Sequence, residues 1–230
     1  MNHQTVTHDF EHLACFLPGL LALGAHTIPD DRLSAKEREQ HKWAAAGLSY
    51  TCYIAYADQK SGLGPDKLGM KQGTRWVEKL AAWEDAGRVG VPPGLGEEGP
   101  LKNQKERDYE LHSWGSHFLR PETVESLYYM WKTTGEEKWR ERGYEIFVAL
   151  ERHARTQYGY TSVAHVDMDP VRPLDDMPSF FLAETLKYLF LLFEEGDSYP
   201  FSKWVFNTEA HPLPVFEWSS WELRLYGITP

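Results

Sequence analysis

Glu122-Thr-Val-Glu-Ser-Leu-Tyr-Tyr-Met-Trp-Lys-Thr133, followed by Gly135 and then by Glu136 to Arg155, is the stretch that decides the fold. Apolar side chains recur on one face of its first segment, at Val124, Leu127, Tyr128 and Trp131. The second segment is amphipathic with a helical period. Because a single glycine stop separates the two segments, the pattern predicts two antiparallel helices packed as an αα-hairpin.

The chain on both sides of this hairpin is also mostly helical in pattern. His12 to Leu23 predicts a compact apolar helix stopped by Gly24, and Leu33 to Ala57 predicts a longer helix that is charged in its first half. Ser179 to Glu194 is almost wholly apolar, which indicates a helix buried between other helices and opened by Pro178. Layered helix-on-helix packing follows, although an αα-toroid, a bundle and a solenoid all fit this periodicity.

The remaining stretches predict small β elements and one long loop-rich region. Tyr158 to Val163 is short and β-prone, and Pro200 to Phe206 ends in a strand or turn. Residues 61–112 have the weakest pattern: Arg75 to Ala86 predicts a short helix, whereas Val91 to Gly96 is typical of an exposed loop. We interpret 61–112 as a loop-rich insertion or lid within a single domain.

Composition excludes several classes of protein. The 230 residues carry 34 acidic and 24 basic side chains, a net charge of −10, and no cluster of Lys and Arg marks a nucleic-acid footprint. The longest apolar runs, Leu13 to Ala25 and Leu182 to Phe193, are shorter than the roughly 18 to 20 residues that span a bilayer. We therefore expect a globular chain without nucleic-acid partners or a transmembrane segment. Aromatic residues make up 14% of it, which suits a large core or a sugar-stacking surface.

Four carboxylates stand out by their surroundings. Glu122 and Glu125 share one face at the start of the predicted helix, where acids are also common for simple dipole reasons. Glu184 lies within an apolar run, and burial of a lone carboxylate is costly unless it has a partner such as Lys187. Glu209 has the default interpretation of a solvated loop acid.

Convergence of these acids would have chemical consequences. Their mutual repulsion would raise at least one pKa unless Arg120 or a hard divalent cation offset it. The spacing of Cys and His does not suit zinc, and paired carboxylates around a sugar pocket suggest glycoside hydrolysis. His12 alone is typical of a structural histidine, and Cys15 and Cys52 are compatible with two free thiols or one bridge.

Four blocks, in order along the chain, resemble glycoside hydrolase family 47, the class I α-1,2-mannosidases that trim N-glycans. They are His12-Leu-Ala-Cys-Phe-Leu-Pro-Gly19, Leu119-Arg-Pro-Glu-Thr-Val-Glu-Ser-Leu127, Ser179-Phe-Phe-Leu-Ala-Glu-Thr-Leu-Lys-Tyr-Leu-Phe-Leu-Leu-Phe193 and Val205-Phe-Asn-Thr-Glu-Ala-His-Pro-Leu213. The resemblance implies an all-α fold of αα-hairpins from an (α/α)7 toroid, here an incomplete barrel. The family holds the sugar in the funnel of the toroid and calcium at its base.

The same resemblance assigns roles around a calcium ion. Thr208 would bind Ca2+ directly, and Glu125, Glu184 and Glu209 would hold its waters, the last two also contacting the terminal mannose. Glu122 would be the general base of an inverting hydrolysis of α-1,2-linked mannose from high-mannose N-glycans. A shared cation would explain how four neighbouring acids stay ionised.

Further roles follow from the matched blocks. Arg120, His12 and Phe180 would shape the mannose pocket. Cys15 and Cys52 match the disulfide pair of the family, which implies an oxidising lumen, that of the endoplasmic reticulum or the Golgi.

The chain also departs from the family pattern. The family's general acid lies in blocks upstream of the His12 region, so residues 1–230 are expected to be the C-terminal part of one catalytic domain. The missing N-terminal half is then a required partner, with any membrane anchor further upstream. A smaller departure is Pro178, where the family usually has an acid. Alternatives are a mannosidase-like lectin or degradation factor that binds high-mannose glycans without efficient hydrolysis, and an inactive truncated product or unrelated helical scaffold.

Overall fold

The computed structural model of the chain describes residues 8–71, 73, 75–95, 106–112 and 115–228. Contacts between residues divide the chain into two units, Met1–Phe193 and Glu194–Pro230. The helices are α1 Leu17–Thr27, α2 Ala35–Ala57, α3 Trp76–Asp85, α4 Glu122–Thr134, α5 Lys138–His153, α6 Leu186–Phe193 and α7 Ser220–Tyr226. A 3₁₀ turn, His12–Phe16, precedes α1, and a π-helical turn, Phe181–Thr185, precedes α6.

The strands are short and form three small antiparallel sheets in the described residues. They are β1 Asp9–Glu11, β2 Lys67–Met70, β3 Tyr109–Leu111, β4 Val163–Ala164, β5 Arg172–Pro173, β6 Trp204–Phe206 and β7 Pro212–Pro214. Their pairing is β1-β2-β3, β4-β5 and β6-β7. The class predicted from the sequence, mainly helical with small β elements, is confirmed.

The hairpin of α4 and α5 is the centre of the first unit. Gly135 ends α4 in the left-handed conformation, with φ at +68°, as the glycine stop predicted. The helix α1 packs closely on α4, where the backbone N–H of Gly19 donates to Ser126 Oγ at 2.9 Å. A side chain at Gly19 would place its Cβ only 3.1 Å from the Cα of Ser126, so the two helices meet backbone to backbone.

The end of α1 and the start of α2 differ from the prediction. Gly24 does not end the first helix, which continues to Thr27 and stops where Ile28 becomes extended. Ile28 precedes Pro29, and a residue before proline is disfavoured in the helical region. The start of α2 is fixed by Ser34, whose side chain forms a capping box with Glu37.

Part of the predicted insertion, 61–112, is built into ordered structure. Its two ends form β2 and β3, which extend the sheet begun by β1 in the register Phe10 to Leu68 to Leu111. Leu68 and Tyr109 are buried against Ala55 of α2. The predicted short helix is present as α3, and the described part of the predicted loop, residues 91–95, has no helix or strand, while Gly96 lies outside the described residues.

The last apolar segment of the first unit is less buried than its composition predicts. The N–H of Leu186 bonds to the carbonyl of Phe181, the five-residue spacing of a π turn, before α6 begins. Leu192 is fully buried against α5, yet Leu182 and Phe190 are 57% and 68% exposed. The expectation that this segment is covered on all sides is therefore wrong for the described residues.

The second unit, described by itself, contains the β6–β7 hairpin and α7. Val205 pairs with Leu213 at the centre of the hairpin, which confirms the predicted strand at the end of Pro200 to Phe206. A capping box between Ser219 and Glu222 starts α7. Across the part of the chain that the structure describes, no helix has the length and apolar character needed to span a membrane.

Candidate active site

The turn before α4 positions two predicted site residues, Arg120 and Glu122. Leu119, fully buried, adopts a left-handed backbone with φ at +59°, a strained conformation for a branched side chain. Its carbonyl accepts a hydrogen bond from Thr185 Oγ1 at 2.7 Å. This bond fastens the turn that carries Arg120 and Glu122 to the π-helical turn that carries Glu184.

Glu122 and Glu125 lie in the first turn of α4, as predicted, and face different partners. Glu122 Oε2 is 2.8 Å from His12 Nδ1. The other ring nitrogen of His12, Nε2, is 2.7 Å from the hydroxyl of Tyr56 and 3.0 Å from that of Thr123. The sequence predicted that His12 shapes the mannose pocket; the structure buries it and directs it at Glu122.

His12 holds Glu122 in its ionised form. Burial alone would raise the pKa of the Glu122 carboxyl, but the hydrogen bond with His12, the backbone N–H of Glu122 itself and the Arg120 guanidinium lower it further than burial raises it. The pKa of Glu122 is therefore below the ordinary glutamate value. A carboxylate that is ionised at neutral pH and partly exposed can accept a proton from water.

In contrast to Glu122, Glu125 has a pKa above the ordinary glutamate value. Burial, the charge of Glu122 and the charge of Glu184 raise its pKa to about 7, although the hydroxyl of Tyr188 donates to its Oε1 at 3.3 Å. Glu184 itself is 9% exposed. Three of the four predicted acids thus share one largely buried region, and the repulsion expected between them is present.

Arg120 is fixed by a residue that the sequence did not single out. Its Nε donates to Asp66 Oδ1 at 2.5 Å, and its guanidinium lies 5.6 Å from the centre of the Phe180 ring. Arg120 and Phe180, which the resemblance assigned to the mannose pocket, are therefore in contact, and that role stays a prediction. Asp66 lies between Pro65 and the first residue of β2, and no local pattern marks it as a site residue.

Cys15 and Cys52 are joined by a disulfide with a Cα–Cα distance of 6.0 Å, the pairing that the resemblance implied. It ties the 3₁₀ turn to α2. Because Cys15 is three residues after His12 and Cys52 is four residues before Tyr56, the bridge runs beside the His12–Tyr56 contact. A predicted disulfide combined with helical spacing could have pointed to Tyr56, which the sequence analysis missed.

Thr208 and Glu209 lie in the connection between β6 and β7, in the second unit. Asn207 Oδ1 accepts from the backbone N–H groups of Glu209 and His211 at 3.0 and 2.8 Å. Ala210 is fully buried with φ at +55°. This tight turn leaves the side chains of Thr208 and Glu209 exposed, where their oxygens are accessible to a ligand.

The donors available for a metal are oxygens. Burial is the main cause of the raised pKa of Glu125, and the charges of Glu122 and Glu184 add to it; a hard cation would offset these charges. Within the described ranges, however, no group of three or more His, Cys, Asp or Glu is arranged to hold a metal by itself. Water-mediated contacts and a hydroxyl ligand, as the resemblance implied, are compatible with both observations, and the calcium site stays a prediction.

Comparison with known proteins identifies the family. The glycosyl hydrolase family 47 model matches residues 1–215. The chain is 37% identical over 208 residues to human mannosyl-oligosaccharide 1,2-alpha-mannosidase IC, covering 90% of this chain and 27% of the relative. It is 36% identical over 219 residues to human endoplasmic reticulum mannosyl-oligosaccharide 1,2-alpha-mannosidase, covering 93% of this chain and 26% of the relative. The chain therefore belongs to glycosyl hydrolase family 47.

A solved structure supports the same conclusion for the fold. The alpha-1,2-mannosidase from Trichoderma reesei superposes with a TM-score of 0.69 at 26% identity, covering 94% of this chain and 41% of that one. The predicted fold, αα-hairpins from an (α/α)7 toroid, is confirmed by this match. The chain spans about a quarter of the length of the two human relatives.

Proposed function

We propose that this chain is the C-terminal part of a catalytic domain that removes terminal α-1,2-linked mannose from high-mannose N-glycans with inversion. The observation that carries the proposal is the Glu122–His12 contact, which keeps a partly exposed carboxylate ionised next to Arg120. The chain belongs to a glycosyl hydrolase family, which supports glycoside hydrolysis as the reaction of this carboxylate. The mannosidase names of the relatives supply the substrate class.

The proposed chemistry uses Glu122 as the general base. Its carboxylate accepts a proton from a water molecule as the water oxygen attacks the anomeric carbon, while the bond from that carbon to the leaving oxygen breaks on the opposite face. Arg120 offers guanidinium N–H donors to sugar hydroxyls, and Asp66 and Phe180 keep it oriented. An inverting reaction also needs an acid to protonate the leaving oxygen, and we propose that this acid belongs to the preceding part of the domain, as the family resemblance implies.

Calcium is the proposed cofactor. The Thr208 oxygens would bind it directly, and Glu125, Glu184 and Glu209 would hold its waters. When bound, such a cation offsets the negative charge of the acids and lowers the pKa of coordinated water. Glu125 would then be ionised at neutral pH, because a nearby cation favours the charged form of a carboxyl group.

The proposed setting is the lumen of the endoplasmic reticulum or Golgi. The Cys15–Cys52 bridge is typical of an oxidising compartment. One relative carries the words "endoplasmic reticulum" in its name. The partners are then high-mannose glycoproteins and the N-terminal half of the catalytic domain, which would carry any membrane anchor.

Hydrolysis is tested by fusing this chain behind the N-terminal part of the Trichoderma reesei alpha-1,2-mannosidase and supplying a high-mannose N-glycan. Proton NMR of the first product should show β-mannose, as inversion requires. Glu122→Gln should lower the rate about 100-fold or more while glycan affinity changes little. Glu141→Gln, an exposed acid on α5, is the matched control.

Two results would contradict the proposal. An unchanged rate in Glu122→Gln would exclude Glu122 as the base. A folded fusion that binds the glycan but releases no mannose, when the intact fungal enzyme does so in parallel, would favour the glycan-binding lectin or degradation factor.

A further inference from the structure

We infer that Tyr56 is a positioning residue, whose hydroxyl fixes the His12 imidazole in the tautomer that donates from Nδ1 to Glu122. The inference rests on the proposed function for its catalytic meaning. Its structural content, the tautomer of one buried histidine, is measurable without any activity.

The hydrogen-bond roles follow from what each group can donate. An ionised carboxylate only accepts, so the 2.8 Å contact between His12 Nδ1 and Glu122 Oε2 places a proton on Nδ1. In the neutral ring the other nitrogen, Nε2, then has a lone pair and needs a donor. The hydroxyl of Tyr56, at 2.7 Å, supplies it.

Burial makes this donor necessary. His12 is 5% exposed and Tyr56 is 2% exposed, so bulk water does not replace a missing partner at Nε2. A buried acceptor without a donor costs about 1 to 3 kcal/mol. Burial and the negative charge of Glu122 also raise the pKa of the Tyr56 hydroxyl, which therefore keeps its proton and remains a donor throughout the neutral range.

Thr123 is the competing donor. Its Oγ1 is 3.0 Å from His12 Nε2, but one lone pair accepts one strong hydrogen bond, and the Tyr56 hydroxyl is nearer. Thr123 is also hydrogen-bonded to Tyr56. This gives a directional series in which Thr123 donates to Tyr56, Tyr56 to His12, and His12 to Glu122.

The ring of Tyr56 is held tightly enough to direct its hydroxyl. A Cβ built on Gly64 would lie 2.3 Å from Tyr56 Cε2, so the ring rests directly on the backbone of that glycine. The His117 ring contacts it edge to face, with centroids 5.7 Å apart. The Cys15–Cys52 disulfide joins the 3₁₀ turn of His12 to the helix of Tyr56.

The correct tautomer matters for the base. With the proton on Nδ1, one oxygen of Glu122 is engaged and oriented, and the carboxylate presents its other oxygen to water. With the proton on Nε2, the lone pair of Nδ1 would face the carboxylate and repel it. Loss of the Tyr56 hydroxyl therefore misplaces the base without removing any group that touches the substrate.

The direct test is nitrogen NMR of the ¹⁵N-histidine-labelled chain at pH 8, where free histidine is neutral. The His12 signals are assigned by their loss in His12→Asn. We expect a proton on Nδ1 in the wild type and a mixture of tautomers in Tyr56→Phe. Tyr53→Phe, on the same helix with its hydroxyl on Glu145, is the matched control and should leave the wild-type spectrum unchanged.

Each outcome decides the inference. A wild-type His12 protonated on Nε2, or on both nitrogens, overturns it without any variant. An unchanged tautomer in Tyr56→Phe together with a shifted one in Thr123→Val overturns it in favour of Thr123. Both results are independent of hydrolysis, so they are distinguishable from a failure of the proposed function.

Kinetics of the fusion enzyme add the catalytic readout. Tyr56→Phe should lower kcat about 10- to 100-fold and change KM less than about threefold, because the base is displaced while the sugar contacts remain. Equal loss of kcat in Tyr56→Phe and Tyr53→Phe, or a rise in KM alone, would contradict a positioning role.

Discussion

Asp66 Oδ1 accepts a 2.5 Å hydrogen bond from Arg120 Nε, and this contact connects the predicted insertion to the candidate active site. Asp66 lies at the edge of β2, within residues 61–112, whereas Arg120 belongs to the turn that starts α4. The contact is partly shielded, with the side chains 29% and 27% exposed. Part of the region interpreted as an insertion therefore orients a residue of the proposed mannose pocket.

Asp66→Asn should weaken sugar binding about tenfold, since a charge-assisted hydrogen bond to Arg120 is lost and the guanidinium gains freedom. The measurement is the dissociation constant of an α-1,2-linked mannose disaccharide by calorimetry. Asp30→Asn, which removes a surface acid from Arg38, is the control and should leave the affinity unchanged. Equal affinities in the two variants would show that Asp66 does not contribute to sugar binding.

Calcium should raise the melting temperature of the fusion enzyme, because a ligand that binds only the folded state stabilises it, by about 2.7 kcal/mol at 100 times its dissociation constant. Thr208→Ala should abolish the increase, whereas Thr208→Ser keeps the hydroxyl and should retain most of it. Thermal denaturation with calcium and with a chelator measures the effect. A calcium response that is unchanged in Thr208→Ala would remove Thr208 from the ligand set.

His117 should make stability depend on pH. Burial lowers its pKa to about 3, against an ordinary value of about 6.5 in the unfolded chain. Unfolding at pH values between these two takes up a proton, so the stabilising contribution is complete above about pH 6.5 and is lost as the pH falls. The expected loss between pH 7 and pH 5 is about 2 kcal/mol.

The pH effect is measured by urea denaturation at pH 7 and pH 5. His117→Asn should reduce the difference in unfolding free energy between the two pH values by about 2 kcal/mol, while the exposed His26→Gln should not. If the wild-type difference in unfolding free energy persists in His117→Asn, the pH dependence comes from other titratable groups.

Two glycines of α1 should respond to alanine with opposite signs. A Cβ at Gly19 would lie 3.0 Å from Tyr129 Cδ2 and 3.1 Å from the Cα of Ser126, so Gly19→Ala should destabilise the fold by about 1 to 3 kcal/mol. At Gly24 the nearest atom is Ile28 Cδ1 at 3.4 Å, and Gly24→Ala should be neutral or stabilising by up to about 1 kcal/mol. Denaturation midpoints measure both, and a stabilising Gly19→Ala would contradict the close approach of α1 and α4.

Hydrophobic periodicity was sufficient to predict the helices that have both a clear apolar face and a residue that marks their end. α4 and α5 have a clear apolar stripe, and Gly135 separates them, so their positions follow from local sequence. The π-helical turn around Glu184 could not be predicted, because its five-residue bonding leaves no distinct pattern of side chains. The prediction that Gly24 ends the first helix was wrong for a related reason. A glycine inside a helix and one that ends it look alike until Pro29 is considered.

The same distinction applies to the site residues: those with a local sequence signal were predicted, and those defined by long-range contacts were not. Glu122, Glu125 and Glu184 were recognisable because acids in apolar or helix-start positions are conspicuous, and family resemblance gave them roles. Asp66 and Tyr56 were missed because each acts through one long-range contact, with Arg120 and His12, that spacing along the chain does not encode. The role of His12 was assigned to the sugar, whereas its ring nitrogens contact the carboxylate of Glu122 and the hydroxyl of Tyr56.

The disulfide between Cys15 and Cys52 also affects the order in which the site forms during folding. It closes beside the contact between His12 and Tyr56, so the arrangement around Glu122 is secured covalently only after two thiols have been oxidised. A newly made chain with both thiols reduced contains His12, Tyr56 and Glu122 but lacks this covalent link. Maturation of the site is thereby coupled to oxidative folding, and a thiol reductant is expected to act on it from a distance, through the backbone rather than through the carboxylates.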